Sequence, residues 1–453
     1  MNEWFQAEEH AERAHRFYEA GQWERALDEI QQALEVNPHQ SEWHFGMGMT
    51  LDALSRYGEA VHSFEKVIEL RGPDVDSLLS LSVNLIRTEQ PRRAIDALKQ
   101  AGELDPECEP SYCFRILACA QLGDHDAAEE MFYMARQLVD ECPLCYDHMA
   151  QSLMARGLWD KAIWCWQQTL RLEPLFTDAS IKLARAHRHR GQFARARDLY
   201  LDALRSEPGD VNVLIELGQL LMEMGRRVEA REKFRRALEQ DPTSADAELS
   251  LGELALLEGH HDAARDHLDA ARRMEPDLAG VHLSLGQLAF QKKQLDRARL
   301  YAWAELSRPH RGFADSMALA ELFIELNVPA PVPRLLAPII NAPDDSVDEE
   351  VRANCLFLRG LSRLLSQRFD RGIADCRLAL QLDPNHPLAL ENLALAYIET
   401  GSLSRARVFL QRAVALRPHD HHLNRIAVRL ITARIKTRGR SIRHRIARLF
   451  GRR

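Results

Sequence analysis

Four thiols fall near one another in this chain at spacings that metal chemistry uses. Cys142 and Cys145 are separated by Pro-Leu, the gap found between paired zinc ligands, and Cys108 and Cys113 lie upstream. Cys108 sits two residues after Pro106, as Cys145 sits two after Pro143. If the starts of successive helices stack, Cys108, Cys113, Cys142 and Cys145 converge, with His148 nearby. Zinc requires four ligands at about 2.0–2.3 Å. A cysteine beside tight helix packing serves equally as a small hydrophobe. The expectation is a chain without cofactor or metal, these four cysteines being the set to inspect. Cys-Pro-Leu-Cys is also a redox spacing, but no strand-helix-strand pattern surrounds it.

Other reactive groups form no constellation. The chain has no phosphate loop, no His-Glu-x-x-His and no Gly-x-Ser-x-Gly, and Gly46-Met-Gly48 lacks the third glycine of a dinucleotide fingerprint. No enzymatic activity is expected. His419-Asp420-His421-His422 reads as a polar turn between helices. Basic residues cluster at Arg185, His187, Arg188, His189, Arg190, Arg195 and Arg197, where arginines can grip an acidic partner through bidentate contacts. A second basic element is 438–453. There Ile442, Ile446, Leu449 and Phe450 share one side of a helical wheel, flanked by Arg440, Arg443, Arg445 and Arg448. Such a segment lies on an anionic membrane surface, binds an acidic partner, or stays a solubilising tail.

The elements that carry these residues are periodic. Glycines recur at Gly157, Gly191, Gly225 and Gly259, and prolines follow at Pro174, Pro208, Pro242 and Pro276. Small residues keep the same period at Ala162, Ala196, Ala230 and Ala264, then at Thr169, Ala203, Ala237 and Ala271. In physical terms the glycine ends one helix, the small residues let two helices pack closely, and the proline stops the second. Leu217, Gly218, Leu221, Ala230, Phe234, Ala237 and Pro242 together resemble the tetratricopeptide repeat consensus. The resemblance covers nearly the whole chain to about Pro418.

That resemblance implies an all-α, right-handed α-solenoid superhelix of about twelve helix-turn-helix units with a C-terminal cap helix. About nine units occupy 1–309, the fourth running about three residues long before Pro143 and the ninth one residue short. Residues 310–350 read as a degenerate, Pro-rich unit forming a hinge or surface loop with an acidic run, since interior prolines each cost a helix about 3 kcal/mol. Two more units fill 351–418, the cap helix 419–437, and the basic tail 438–453.

The resemblance also implies a concave groove lined by the first helix of each unit. Transferring the family's groove positions gives Leu79, Val83 and Ile86 in the third unit, and Ile181, Arg185 and Arg188 in the sixth. It gives Ile215, Gln219 and Met222 in the seventh, Leu249, Glu253 and Leu256 in the eighth, Leu283, Gln287 and Phe290 in the ninth, and Phe357, Leu361 and Leu364 in the eleventh. This largely apolar lining suits an amphipathic helix or hydrophobic peptide, with Arg185, Arg188 and Arg190 selecting by charge. Ala11, Leu79, Ile181 and Ile215 stand where a terminal-carboxylate clamp needs cations and amides, so that mode is not expected.

Charge divides the chain. Its net −8 combines a segment from Arg417 onward, with twelve Lys/Arg against the single acid Asp420, and a body near −19. An acidic body argues against wrapping a nucleic acid. The first residues, MNEWFQAEEHAERAH, lack the basic and apolar regions of a signal peptide, and the eight cysteines are too scattered for a disulfide scaffold, which points to the cytoplasm. The expected function is a non-catalytic protein-interaction scaffold. The alternatives are a peripheral membrane adaptor anchored by the tail, and a metal-dependent regulatory protein or enzyme.

Overall fold

One backbone turn recurs along the chain. Gly21, Ser55, Glu89, Gly123, Gly157, Gly191, Gly225, Gly259, Lys293 and Asn327 all take positive φ, each 34 residues after the last. Each follows the first helix of a hairpin, where a left-handed residue lets the chain reverse and satisfies the last helical carbonyls. The period thus persists where the glycine does not: Ser55, Glu89, Lys293 and Asn327 hold φ of 56–60°. The interval from Asn327 to the next such residue, Gln367, is longer, and the 34-residue step resumes at Gly401.

The structure, a computed structural model, describes residues 2–139, 141–308, 312–342, 347–433 and 435. Among them there are helices and no strands. The chain divides into two units, Met1–Pro208 and Gly209–Arg453. The first is a run of antiparallel helix pairs, from Asn2–Glu19 with Trp23–Val36 to Thr177–His189 with Phe193–Ser206. The second begins with Val211–Glu223 and Arg227–Gln240, continues to Leu403–Leu416, and closes with a helix over 421–433 that buries Leu423, Ile426 and Leu430.

Close helix approach depends on the small residues of the repeat. Ala26, Ala60, Ala94, Ala128, Ala162 and Ala196 have no exposed surface. At Gly218 a Cβ would lie 2.4 Å from the Phe234 ring, so glycine alone admits that fully buried phenylalanine. Interiors packed to crystal-like density leave no slack for the extra methyl.

Three expectations of the sequence are corrected. The fourth unit is not long: Gly123 to Gly157 is a regular step, and Pro143 is the first residue of the next helix, Pro143–Ala155, where a missing N–H costs nothing. Nor is the ninth unit short, because the turn spacing runs unbroken from Gly259 through Lys293 to Asn327. The Pro-rich stretch is no surface loop. After the helix Phe313–Glu325 it forms two single turns, Val332–Leu335 and Ala337–Ile340, whose Val332, Leu336 and Ile339 are buried with Phe323 and Phe357. Prolines break the second helix of this hairpin into short pieces without stopping its apolar residues from filling the core. Asp344 and Asp345 of the acidic run, and the tail arginines Arg440, Arg443, Arg445 and Arg448, lie outside the described residues.

Candidate functional site

Two arrangements stand out. The first is an open cleft on the first two hairpins, about 540 Å³ in volume. Its walls come from Asn2–Glu19 and Ser41–Ala53, the first helices of consecutive repeats. Ala11, His15 and Tyr18 face it from one, Phe45 and Met49 from the other. Those residues hold the same places in the 34-residue register as Leu79, Val83 and Ile86 of the third unit. Trp43 adds a half-buried indole, and Glu8, Glu12 and Glu42 give the lining an acidic component. Phe45 is held in place by the Phe64 ring, edge-on at 5.5 Å, and by the Arg71 guanidinium 5.9 Å from its centroid.

The groove positions taken from the sequence are less uniform than expected. Ile86, Ile215, Leu256 and Phe357 are buried at 5–6% exposure and offer a partner almost no surface. Leu79, Val83, Ile181, Gln219, Met222, Leu249, Phe290 and Leu361 are half-buried. Several residues of the basic cluster have partners within the chain. His187 is buried and hydrogen-bonds Gln192 at 2.7 Å, and His189 stacks on Trp159 at 3.9 Å between centroids. Arg190 pairs with Asp160 at 3.3 Å and Arg197 with Asp198 at 2.7 Å. Arg185 is exposed and Arg188 half-buried. In the C-terminal histidine run, the Asp420 carboxylate accepts from the His422 N–H and the His422 ring meets Glu391 at 2.7 Å, the contacts of a turn.

The second arrangement joins the helices Glu109–Gln121 and Pro143–Ala155. Glu109, Cys113, Cys142 and Cys145 bring one carboxylate oxygen and three sulfurs within 4.8 Å of one another. Cys108 is not among them. One period of 34 places Cys108 opposite Cys142, and each precedes its helix as the N-cap. The expected match of Cys108 with Cys145 is therefore three residues out of register, and Glu109 supplies the fourth group.

Local structure explains the clustering. Cys142 at the N-cap accepts the Cys145 backbone N–H on its sulfur at 3.3 Å, which folds the Pro-Leu pair into the first helical turn. Glu109 and Cys113 are four apart and share one helix face. The Cys145 thiol donates to Glu109 Oε1 at 3.0 Å. Burial pushes the Glu109 carboxyl up to about 7. Contact with the Cys113 sulfur, and then with that of Cys145, holds the Cys142 thiol well below the ordinary range, while contact with Cys142 pushes Cys113 upward and contact with Cys113 pushes Cys145 upward.

Neighbouring groups lock this helix. His148 Nδ1 donates to the Cys113 carbonyl at 2.9 Å and stands 3.5 Å from its sulfur, its ring kept neutral by burial. Buried Asp147 accepts from Trp166 Nε1 at 2.9 Å, within its own hairpin, and from Lys182 Nζ at 2.9 Å, tying Pro143–Ala155 to the following one.

Models of the tetratricopeptide repeat match residues 12–75, 149–211, 215–278 and 258–309, and a second such model matches 363–429. Among solved structures the chain is similar to the APC/C hetero-tetramer Cut9–Hcn1, at 14% identity over 92% of this chain and 95% of that one, with a TM-score of 0.49. It is also similar to yeast Tom70, at 15% identity over 95% and 96% with a TM-score of 0.37. PilF of Pseudomonas aeruginosa matches at 17% identity over 49% of this chain and 97% of that one, with a TM-score of 0.40. No curated protein matches. Among the described residues no helix is long and apolar enough to cross a membrane.

Proposed function

The chain belongs to the tetratricopeptide repeat family, and from that membership we propose that it is a non-catalytic scaffold holding a partner segment in the cleft of its first two repeats. The observation that carries this reading is the coincidence of an open cleft with the inner-face register. Ala11, His15, Tyr18, Phe45 and Met49 line a space left unfilled by the side chains of the described residues, whereas the same register elsewhere includes buried Ile86, Ile215, Leu256 and Phe357. An apolar floor of Tyr18, Trp43, Phe45 and Met49 beside Glu8, Glu12 and Glu42 fits an amphipathic helix whose apolar seam is flanked by lysine or arginine. Aromatic anchors in such a pocket supply most of the affinity. Arg185 and Arg188 in the sixth repeat would select an acidic stretch of the same partner at a second place.

The test is affinity capture from native lysate with the full chain, beside a Trp43→Ala, Phe45→Ala, Met49→Ala variant of matched helicity. Loss of specific partners from the variant supports the reading. Retention of the same partners at the same yield removes the cleft from it.

A further inference from the structure

The group formed by Glu109, Cys113, Cys142 and Cys145 has no part in groove binding, and its composition calls for a ligand of its own. We propose that these four residues form a closed, structural zinc site that pins the first helix of the fourth repeat to the first helix of the fifth.

Geometry comes first. A zinc ion bound to sulfur at about 2.3 Å in a tetrahedron holds its ligand atoms about 3.8 Å apart. The four ligand atoms already lie within 4.8 Å of one another, from two helices whose sequence separation is a full repeat. Small side-chain rotations close the remaining gap. The residue types agree with the ion: three sulfurs select zinc over magnesium or calcium, which take oxygen ligands. Glu109 completes four protein ligands and leaves no position for a water, so the role is structural.

The surroundings are built for a negatively charged centre. Three thiolates and a carboxylate around Zn²⁺ carry a net charge of −2, and whatever protons these four groups still hold leave to solvent on binding. Both helices direct their N-termini at the group: Glu109 opens one helix, and Cys142 caps the other with Cys145 in its first turn. The positive ends of two helix dipoles therefore face the site. The Cys145 N–H donates to the Cys142 sulfur, a contact that strengthens as the sulfur becomes a thiolate. His148 fixes the Cys113 backbone by its bond to the carbonyl, the position a supporting residue holds around a metal ligand.

The pinning has a mechanical consequence. A tetratricopeptide stack is held mainly by contacts between neighbours. A zinc clasp between two first helices fixes their relative position where side-chain packing alone would let it vary.

The experiment uses the full chain, purified under reductant and loaded with Zn²⁺ or Co²⁺ alone, then dialysed. We expect about one tightly held zinc per chain by elemental analysis, and a Co²⁺ form with the thiolate charge-transfer and intense d–d bands of tetrahedral sulfur coordination. Cys142→Ser with Cys145→Ser should abolish both, while Cys355→Ser, at a buried thiol of the other unit, should keep them. Failure of the unmodified chain to retain zinc overturns the proposal whether or not the variants fold. So does a Cys113–Cys142 or Cys142–Cys145 disulfide in the reductant-purified chain, or zinc retention unchanged by the double substitution.

Discussion

Cys145 donates its thiol hydrogen to Glu109 across 3.0 Å, although the two residues belong to successive repeats. The bond makes Glu109 part of the stack even without metal. In chelator-treated protein, Glu109→Ala should lower stability by about 1 kcal/mol, the net worth of an ordinary hydrogen bond, measured by urea unfolding. His148 acts one step further out. His148→Ala should weaken zinc binding roughly 10–100-fold in competition with a chromophoric chelator, leaving the cobalt spectrum tetrahedral at saturating metal. A change in coordination geometry would instead make His148 a ligand.

The left-handed turns give a test free of side-chain contacts. Ser55, Glu89, Lys293 and Gln367 are exposed and hold φ near +60°, a conformation that costs a residue with a Cβ about 1 kcal/mol or more. Replacing any of them by glycine should stabilise its unit by up to about 1 kcal/mol once glycine's greater unfolded freedom is subtracted. Asn327→Gly should gain less, because asparagine tolerates that region. Gly191→Ala should show the opposite sign. Thermal unfolding of the single variants reads all of these.

Glu253 supplies the pH dependence. Burial lifts its carboxyl from 4.5 to about 7, with the Ser284 hydroxyl donating to it at 3.2 Å. The folded state therefore keeps a proton that the unfolded chain releases, and stability falls as pH rises from about 4.5 through about 7. The loss is at most about 3 kcal/mol, complete above pH 7. Glu253→Gln preserves the acceptor for Ser284 and removes the titration. It should match the parent near pH 4.5 and exceed it at pH 8, in paired denaturant titrations.

Packing at Gly218 is equally specific. A methyl there meets the Phe234 ring at 2.4 Å, and both residues are buried. Gly218→Ala should cost about 1–3 kcal/mol, and Phe234→Leu in the same chain should restore part of it, the signature of coupled neighbours in a double-mutant cycle.

The repeat was legible because Gly157, Gly191, Gly225 and Gly259 carry the backbone turn in their residue type. Ser55, Glu89 and Lys293 hide the same turn behind ordinary side chains, and only the 34-residue count finds them. The same count places Cys108 with Cys142; a count from Pro143 shifts the match by three residues, because that proline starts a helix rather than following one. Glu109 itself gave no compositional sign, since a carboxylate among many acids marks itself only when folding buries it. The cleft is hidden in the sequence for a different reason. Its residues occupy the inner-face register of the first two repeats, but openness depends on how the local side chains fill space, and one register position leaves Phe357 buried and Phe45 half-buried.

The cleft is the central claim, and photocrosslinking tests it most directly. A photoreactive phenylalanine analogue placed at Met49, and separately at Val228 as an exposed control, is activated in the native lysate. The cleft reading predicts a discrete covalent adduct with a protein carrying a basic amphipathic segment from position 49, absent from position 228. No adduct at 49, or the same adducts from both positions, would contradict it.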